Sequence, residues 1–104
     1  MSLQPGEVWL ADLGLAAKTR PVVIVSRADP NAPRALVLYV PLTTQNRVSR
    51  YEVPKVPFLD RDSIANVQGL SSLPTVRLER GLGKLSAATM TALRAALTFA
   101  LDLE

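Results

Sequence analysis

The sequence predicts a mainly β domain with a C-terminal α-helix, a small and strongly bent sheet or barrel closed by that helix. Three observations carry this. Short apolar runs rich in Val, Ile and Leu recur between clusters of Pro, Gly, Asn and Asp. One run, Val22-Val23-Ile24-Val25, is continuous and β-branched, the pattern of a central strand buried on both faces. Helical spacing is clear in one place, the C-terminal stretch, where Met90, Leu93, Leu97, Ala100 and Leu101 form a single apolar stripe.

The elements follow in order. Glu7 to Leu13 alternates apolar and polar residues and reads as a half-buried strand, and Gly14 to Thr19 is a short connector. Arg20 to Arg27 is the second strand. Pro21 marks its start, since proline cannot donate to a ladder. Ala28-Asp29-Pro30-Asn31-Ala32-Pro33 is a turn cluster. Arg34 to Leu42 is the third strand, leaving through the polar loop Thr43-Thr44-Gln45-Asn46. A shorter strand covers Ser49 to Val53. Pro54 and Pro57 then predict a stiff connector through Phe58-Leu59-Asp60-Arg61. Ser63 to Val67 is a further short strand, Ser71 to Thr75 is turn-like, and Val76 to Arg80 can form a last strand. Ser86 is a good helix N-cap, with Leu85 and Met90 placed to form a hydrophobic staple across it.

Composition narrows the function. At 104 residues the chain reads as one domain, 1–104, and 48% hydrophobic residues suffice for a core. No run is long and apolar enough for a membrane-spanning helix, and the first residues do not resemble a secretory signal, which points to the cytoplasm. With no Cys and no His, disulfides and thiolate or imidazole metal sites are excluded, and no metal or other cofactor is expected. Any chemistry rests on Arg, Lys, Thr, Ser, Tyr or carboxylates. Residues 1–50 hold six basic side chains against three acidic ones, whereas residues 51–104 hold six of each. The basic bias therefore lies beside Arg20 and Thr43, where it suits a polyanion.

Two stretches stand out chemically. Thr19-Arg20-Pro21 puts a guanidinium at the start of one strand, and Leu42-Thr43-Thr44-Gln45 puts two hydroxyls and an amide at the end of the next. In an antiparallel sheet such ends can meet, and Arg beside Thr is a compact phosphate-binding pair. Lys18, Arg47 and Arg50 can contact phosphates of a nucleic acid. Simpler structural roles exist for the same residues: Arg20 as a strand-edge ion pair with Asp12 or Glu7, Trp9 as a core aromatic, and Asn66 as a satisfied amide or part of a dimer seam.

With these residues in view, the chain resembles the MazF/PemK/Kid family of bacterial toxins. Gly6-Glu7-Val8-Trp9-Leu10-Ala11-Asp12 resembles the family's opening strand, Arg20-Pro21-Val22-Val23-Ile24-Val25-Ser26 its second strand, and Val40-Pro41-Leu42-Thr43-Thr44-Gln45 its Pro-x-Thr-(Thr/Ser)-Gln segment. Glu52-Val53, Arg61-Asp62-Ser63-Ile64, and Arg77-Leu78 followed by Gly83-Lys84-Leu85-Ser86 follow in the family's order. The resemblance implies an SH3-like β-barrel of the CcdB/Kid/MazF type and a homodimer. It also implies cleavage of single-stranded RNA without a metal, held in check by an antitoxin partner through which alone DNA would be met. On it, Arg20 and Thr43 fall on the catalytic positions, and Thr44 and Gln45 on neighbouring positions that shape the RNA site. Beside the resemblance, Lys18, Thr19 and Arg47 are expected as RNA contacts from their own chemistry and position. Well-known members have a longer polar loop with an acid before the Arg. This chain has no acid between Asp12 and Arg20, and Ser71 stands where a basic residue is usual. Two alternatives stay open. One is a gyrase-inhibiting CcdB-like toxin, though the end Ala100-Leu101-Asp102-Leu103-Glu104 lacks that group's usual terminal aromatic. The other is a non-catalytic SH3-like module that binds RNA or a peptide.

Overall fold

A computed structural model of the chain describes residues 3–14, 18–45, 47–58 and 61–104. Among the described residues, seven antiparallel strands precede one α-helix. They are β1 Glu7–Asp12, β2 Thr19–Ile24, β3 Leu36–Thr43, β4 Glu52–Phe58, β5 Arg61–Asn66, β6 Ser71–Pro74 and β7 Leu78–Lys84, and α1 spans Ala87–Ala100. The strands run β4-β5-β3-β2-β1-β7 across the sheet, with β6 pairing β3 off that path. β3 is the pivot. One edge takes β2, and the other takes β6 along its first half and β5 along its second.

The sheet is buried on both faces. Val8, Val23, Val40, Val53 and Val56 converge from four strands onto Met90, Leu93 and Ala96 of α1, so the sheet must bend around the helix to close this core. The opposite face buries Ala11, Val22, Ile24, Val37 and Leu73. Val22, Val23 and Ile24 are consecutive and fully buried, as the β-branched run predicts. The helix also starts as predicted. The Ser86 hydroxyl accepts from the Thr89 N–H at 3.2 Å, and Leu85 and Met90 are both buried in the first core. Its buried stripe is Met90, Leu93 and Ala96, with Leu97 and Ala100 partly covered. Leu101 is the exposed C-cap and not part of the stripe.

The structure corrects several strand boundaries. The stretch through Pro54 and Pro57 is strand, not connector: β4 lies at the outer edge of the sheet, where a residue without an N–H breaks no ladder bond, and its register shifts between Val53 and Val56. Ser71–Pro74 is strand and not a turn, held by pairing Ser71 with Tyr39 and Leu73 with Val37. The last strand begins at Leu78 and runs through Gly81 and Gly83 to Lys84, because β1 supplies its partner residues along that length. Val67 opens a 3-10 turn, Val67–Gly69, instead of ending a strand. Of the loops read from the sequence, Leu15–Ala17, Asn46, Leu59 and Asp60 lie outside the described residues.

Candidate RNA site

The register of β2 on β3 sets the site. Val22 faces Pro41 and Val23 faces Val40. Two residues further out on each strand, and so on the same face as the Val22–Pro41 pair, stand Arg20 and Thr43. Two strand ends distant in sequence thus bring the guanidinium and the hydroxyl to one corner of the sheet. Arg20 is exposed, and Thr43 is half-buried. On the far side of β3, Thr43 pairs with Ile64 of β5, so its backbone is held from a second strand.

Thr43 is also ordered locally. Its Oγ1 accepts a hydrogen bond from the Gln45 N–H at 3.2 Å, a turn closed by the side chain. Accepting that bond leaves the hydroxyl's own proton able to donate. Pro41, Thr43, Gln45 and Arg47 share a cleft of about 400 Å³ with Glu52 and Asn66. The cleft floor depends on a close approach. A Cβ on Gly69 would lie 2.6 Å from Cγ of Pro41, so only glycine lets the 3-10 turn pack against β3 there. Asn66 caps that turn, its Oδ1 accepting from the Gln68 N–H at 3.1 Å, which makes it a satisfied amide beside the cleft.

The connector before Arg20 is tied at its root. The Leu13 N–H donates to the Lys18 carbonyl at 2.9 Å, and Asp12 Oδ1 accepts from the Gly14 N–H at 2.9 Å. Asp12 Oδ2 lies 3.7 Å from an Arg77 nitrogen. Lys18 takes a left-handed φ of 57° and is exposed, as is Thr19, which pairs with Asp12 at the start of β2. Thr44 is exposed between Thr43 and Gln45. Thr43, Gln45 and Arg47 therefore share the cleft, Arg20 stands across the strand pair from Thr43, and Lys18 and Thr19 lead into Arg20. Arg50 is engaged elsewhere, 3.8 Å from the Phe99 ring centroid and 3.1 Å from Glu104, at the end of α1. Trp9 is half-buried in the second core, and its indole N–H donates to Glu7 at 3.0 Å.

The sequence reading missed Glu52 as a member of the cleft. Its carboxylate accepts from the Arg47 N–H at 3.0 Å and from the Ser49 hydroxyl at 2.9 Å. The Ser49 hydroxyl in turn accepts from the Tyr51 N–H at 3.2 Å, and the Glu52 N–H donates to the Ser49 carbonyl at 3.1 Å. The spacing Ser49-x-x-Glu52, typical of a reciprocal cap, was the signal available in the sequence. Between the two clamped residues sits Val48, at φ 51° and 84% exposed. A β-branched residue in the left-handed region carries strain of about 1–3 kcal/mol and persists only when its surroundings fix it.

The family model described as PemK-like, MazF-like toxin of type II toxin-antitoxin system matches residues 4–101. A Mycobacterium tuberculosis protein named probable endoribonuclease MazF5 is 37% identical over 102 residues, covering 93% of this chain and 91% of its own. Among solved structures, a mycobacterial endoribonuclease in complex with its cognate antitoxin superposes with a TM-score of 0.83 at 32% identity, over 96% of this chain and 95% of that one. The Mycobacterium tuberculosis toxin MazF-mt6 superposes with a TM-score of 0.81 at 31% identity, over 97% and 99%. A match spanning nearly every element, from the opening strand to the terminal helix, decides the matter: the chain belongs to the PemK-like, MazF-like toxin family.

Proposed function

We propose that the protein is the toxin of a type II toxin–antitoxin pair, an endoribonuclease that cuts single-stranded RNA without a metal and blocks translation in the cytoplasm until an antitoxin covers its RNA cleft. The observation that carries this is the Arg20–Thr43 corner beside a polar cleft, in a fold shared with proteins named endoribonucleases. The whole chain acts as one domain, and its radius of gyration of 13.0 Å suits a single body of this length.

The chemistry is a transesterification. The ribose 2′-oxygen attacks the adjacent phosphorus as it loses its proton, the bond from phosphorus to the 5′-oxygen breaks, and that oxygen takes up a proton. The products are a 2′,3′-cyclic phosphate and a 5′-hydroxyl. Charge builds on the non-bridging oxygens in between. Arg20 meets that charge with a planar pair of N–H donors, and Thr43 adds its hydroxyl proton. Lys18, Thr19, Thr44, Gln45 and Arg47 line the approach and hold the strand. Arg20 acts chiefly as an electrostatic clamp, so the rate should fall below that of ribonucleases that move protons with a pair of histidines. Expected partners are RNA, a second copy of the chain and an antitoxin segment laid along the RNA cleft, with DNA reached only through the antitoxin.

The test is incubation of a long single-stranded RNA with purified protein in EDTA, beside Arg20→Ala. The native protein should cut at a restricted set of sites, and the variant should leave the RNA intact.

A further inference from the structure

A carboxylate in a cleft meant for a polyanion needs a reason to be there. Glu52 is half-buried, and both of its oxygens are taken by donors from one short turn, the Arg47 N–H on one and the Ser49 hydroxyl on the other. Those two donors flank Val48, whose left-handed backbone a β-branched residue does not adopt unaided. The carboxylate therefore fixes the turn on both sides of its strained residue, and the strain is tolerated because the clamp over-determines it. Arg47, the cation at the rim of the cleft, hangs from this turn, and its own backbone is one of the clamped groups.

Resting on the proposed ribonuclease reading, we propose that Glu52 is a positioning residue: by clamping the turn at Val48 it sets where Arg47 meets the RNA, and so governs how tightly the protein binds it. It acts through Arg47 and does not exchange protons with the substrate. A side chain that held the turn by one bond would leave it free to pivot. Two bonds from one rigid carboxylate fix both its position and its orientation.

The experiment is a double-mutant cycle on kcat and KM with an RNA oligonucleotide bearing one cleavage site, joined to amide hydrogen exchange at Arg47. Glu52→Ala should raise KM about tenfold, the size of one charge-assisted hydrogen bond, and change kcat much less. Glu52→Gln should fall between, because an amide can accept from only one of the two donors through its oxygen. Arg47→Ala combined with Glu52→Ala should be no worse than Arg47→Ala alone. In the Glu52→Ala protein, with its fold checked by circular dichroism, the Arg47 amide should exchange about tenfold faster. Independent, additive effects of the two substitutions would overturn the proposal, as would a fall in kcat at constant KM or an unchanged Arg47 amide. Failure of the ribonuclease reading looks different: native protein would leave all RNA uncut. In that case the amide exchange decides the clamp, and fluorescence anisotropy of the same oligonucleotide decides whether Glu52 sets RNA affinity.

Discussion

Single residues at the cleft show how little chemistry this fold needs and how much positioning. The Thr43 hydroxyl would have two jobs on the proposed reading: it accepts from the Gln45 N–H, which orders the exit loop, and its own proton would be the one given to the phosphate. Thr43→Ala should lower kcat/KM about 10²-fold, the usual loss when one donor to a charged transition state is removed. Thr43→Ser keeps both roles and should retain most activity. Steady-state kinetics on a defined oligonucleotide separates these outcomes, and equal losses in the two variants would refute the donor role. Arg20 and Thr43 could be picked out in the sequence because each stands at the end of an apolar run, where a strand must reach solvent. Glu52 was harder to see. It lay inside an expected short strand, Ser49 to Val53, and its place depends on a turn that curls back on itself through side-chain bonds, at which the spacing Ser49-x-x-Glu52 hints but which no periodicity reports.

At the scale of elements, what was legible followed local rules, and what was not depended on distant partners. The helix announced itself through Ser86, the Leu85–Met90 staple and its stripe, all of which act within a few residues. The strand through Val22 to Ile24 was equally plain. β4 was not, because two prolines look like a break until the element is known to lie at the sheet edge. Nor was β6, whose exposed serines carry no apolar pattern and are held as strand by β3, far away in sequence. The helix also carries weight. Leu93 is fully buried where four strands meet α1, so Leu93→Ala should cost about 2–5 kcal/mol in a urea unfolding experiment. A cost within about 0.5 kcal/mol, the range of surface substitutions, would mean that the helix does not close this core.

For the molecule as a whole, a basic first half, a bent sheet and a single capping helix combine into a surface with a polar cleft and an unusual apolar stretch. Leu36 and Leu38, on one face of β3, are 44% and 47% exposed, and Val76, just beyond β6, is 87% exposed. Exposed apolar side chains of that size on a small protein can mark an interaction surface, and the proposed second copy of the chain is a partner that would cover them. The homodimer proposed above should therefore scatter light at twice the 11.2 kDa chain mass at micromolar concentration, and Leu38→Asp should shift it toward monomer. A native monomer under those conditions would contradict that part of the account. Strand order across the sheet, with β3 holding β2, β5 and β6 at once, was beyond reach from sequence. Hairpin neighbours are the default, and the pairings of β1 with β7 and of β3 with β5 and β6 are not of that kind.

If the Arg20–Thr43 corner cleaves RNA by the 2′-hydroxyl route, as proposed, the ends left on RNA after incubation with native protein in EDTA will carry its signature. The fragments should bear a 2′,3′-cyclic phosphate, or its opened 3′-phosphate, facing a 5′-hydroxyl, and none should form with Arg20→Ala. Fragments carrying a 5′-phosphate and a 3′-hydroxyl, or equal cleavage by the Arg20→Ala protein, would contradict the proposal.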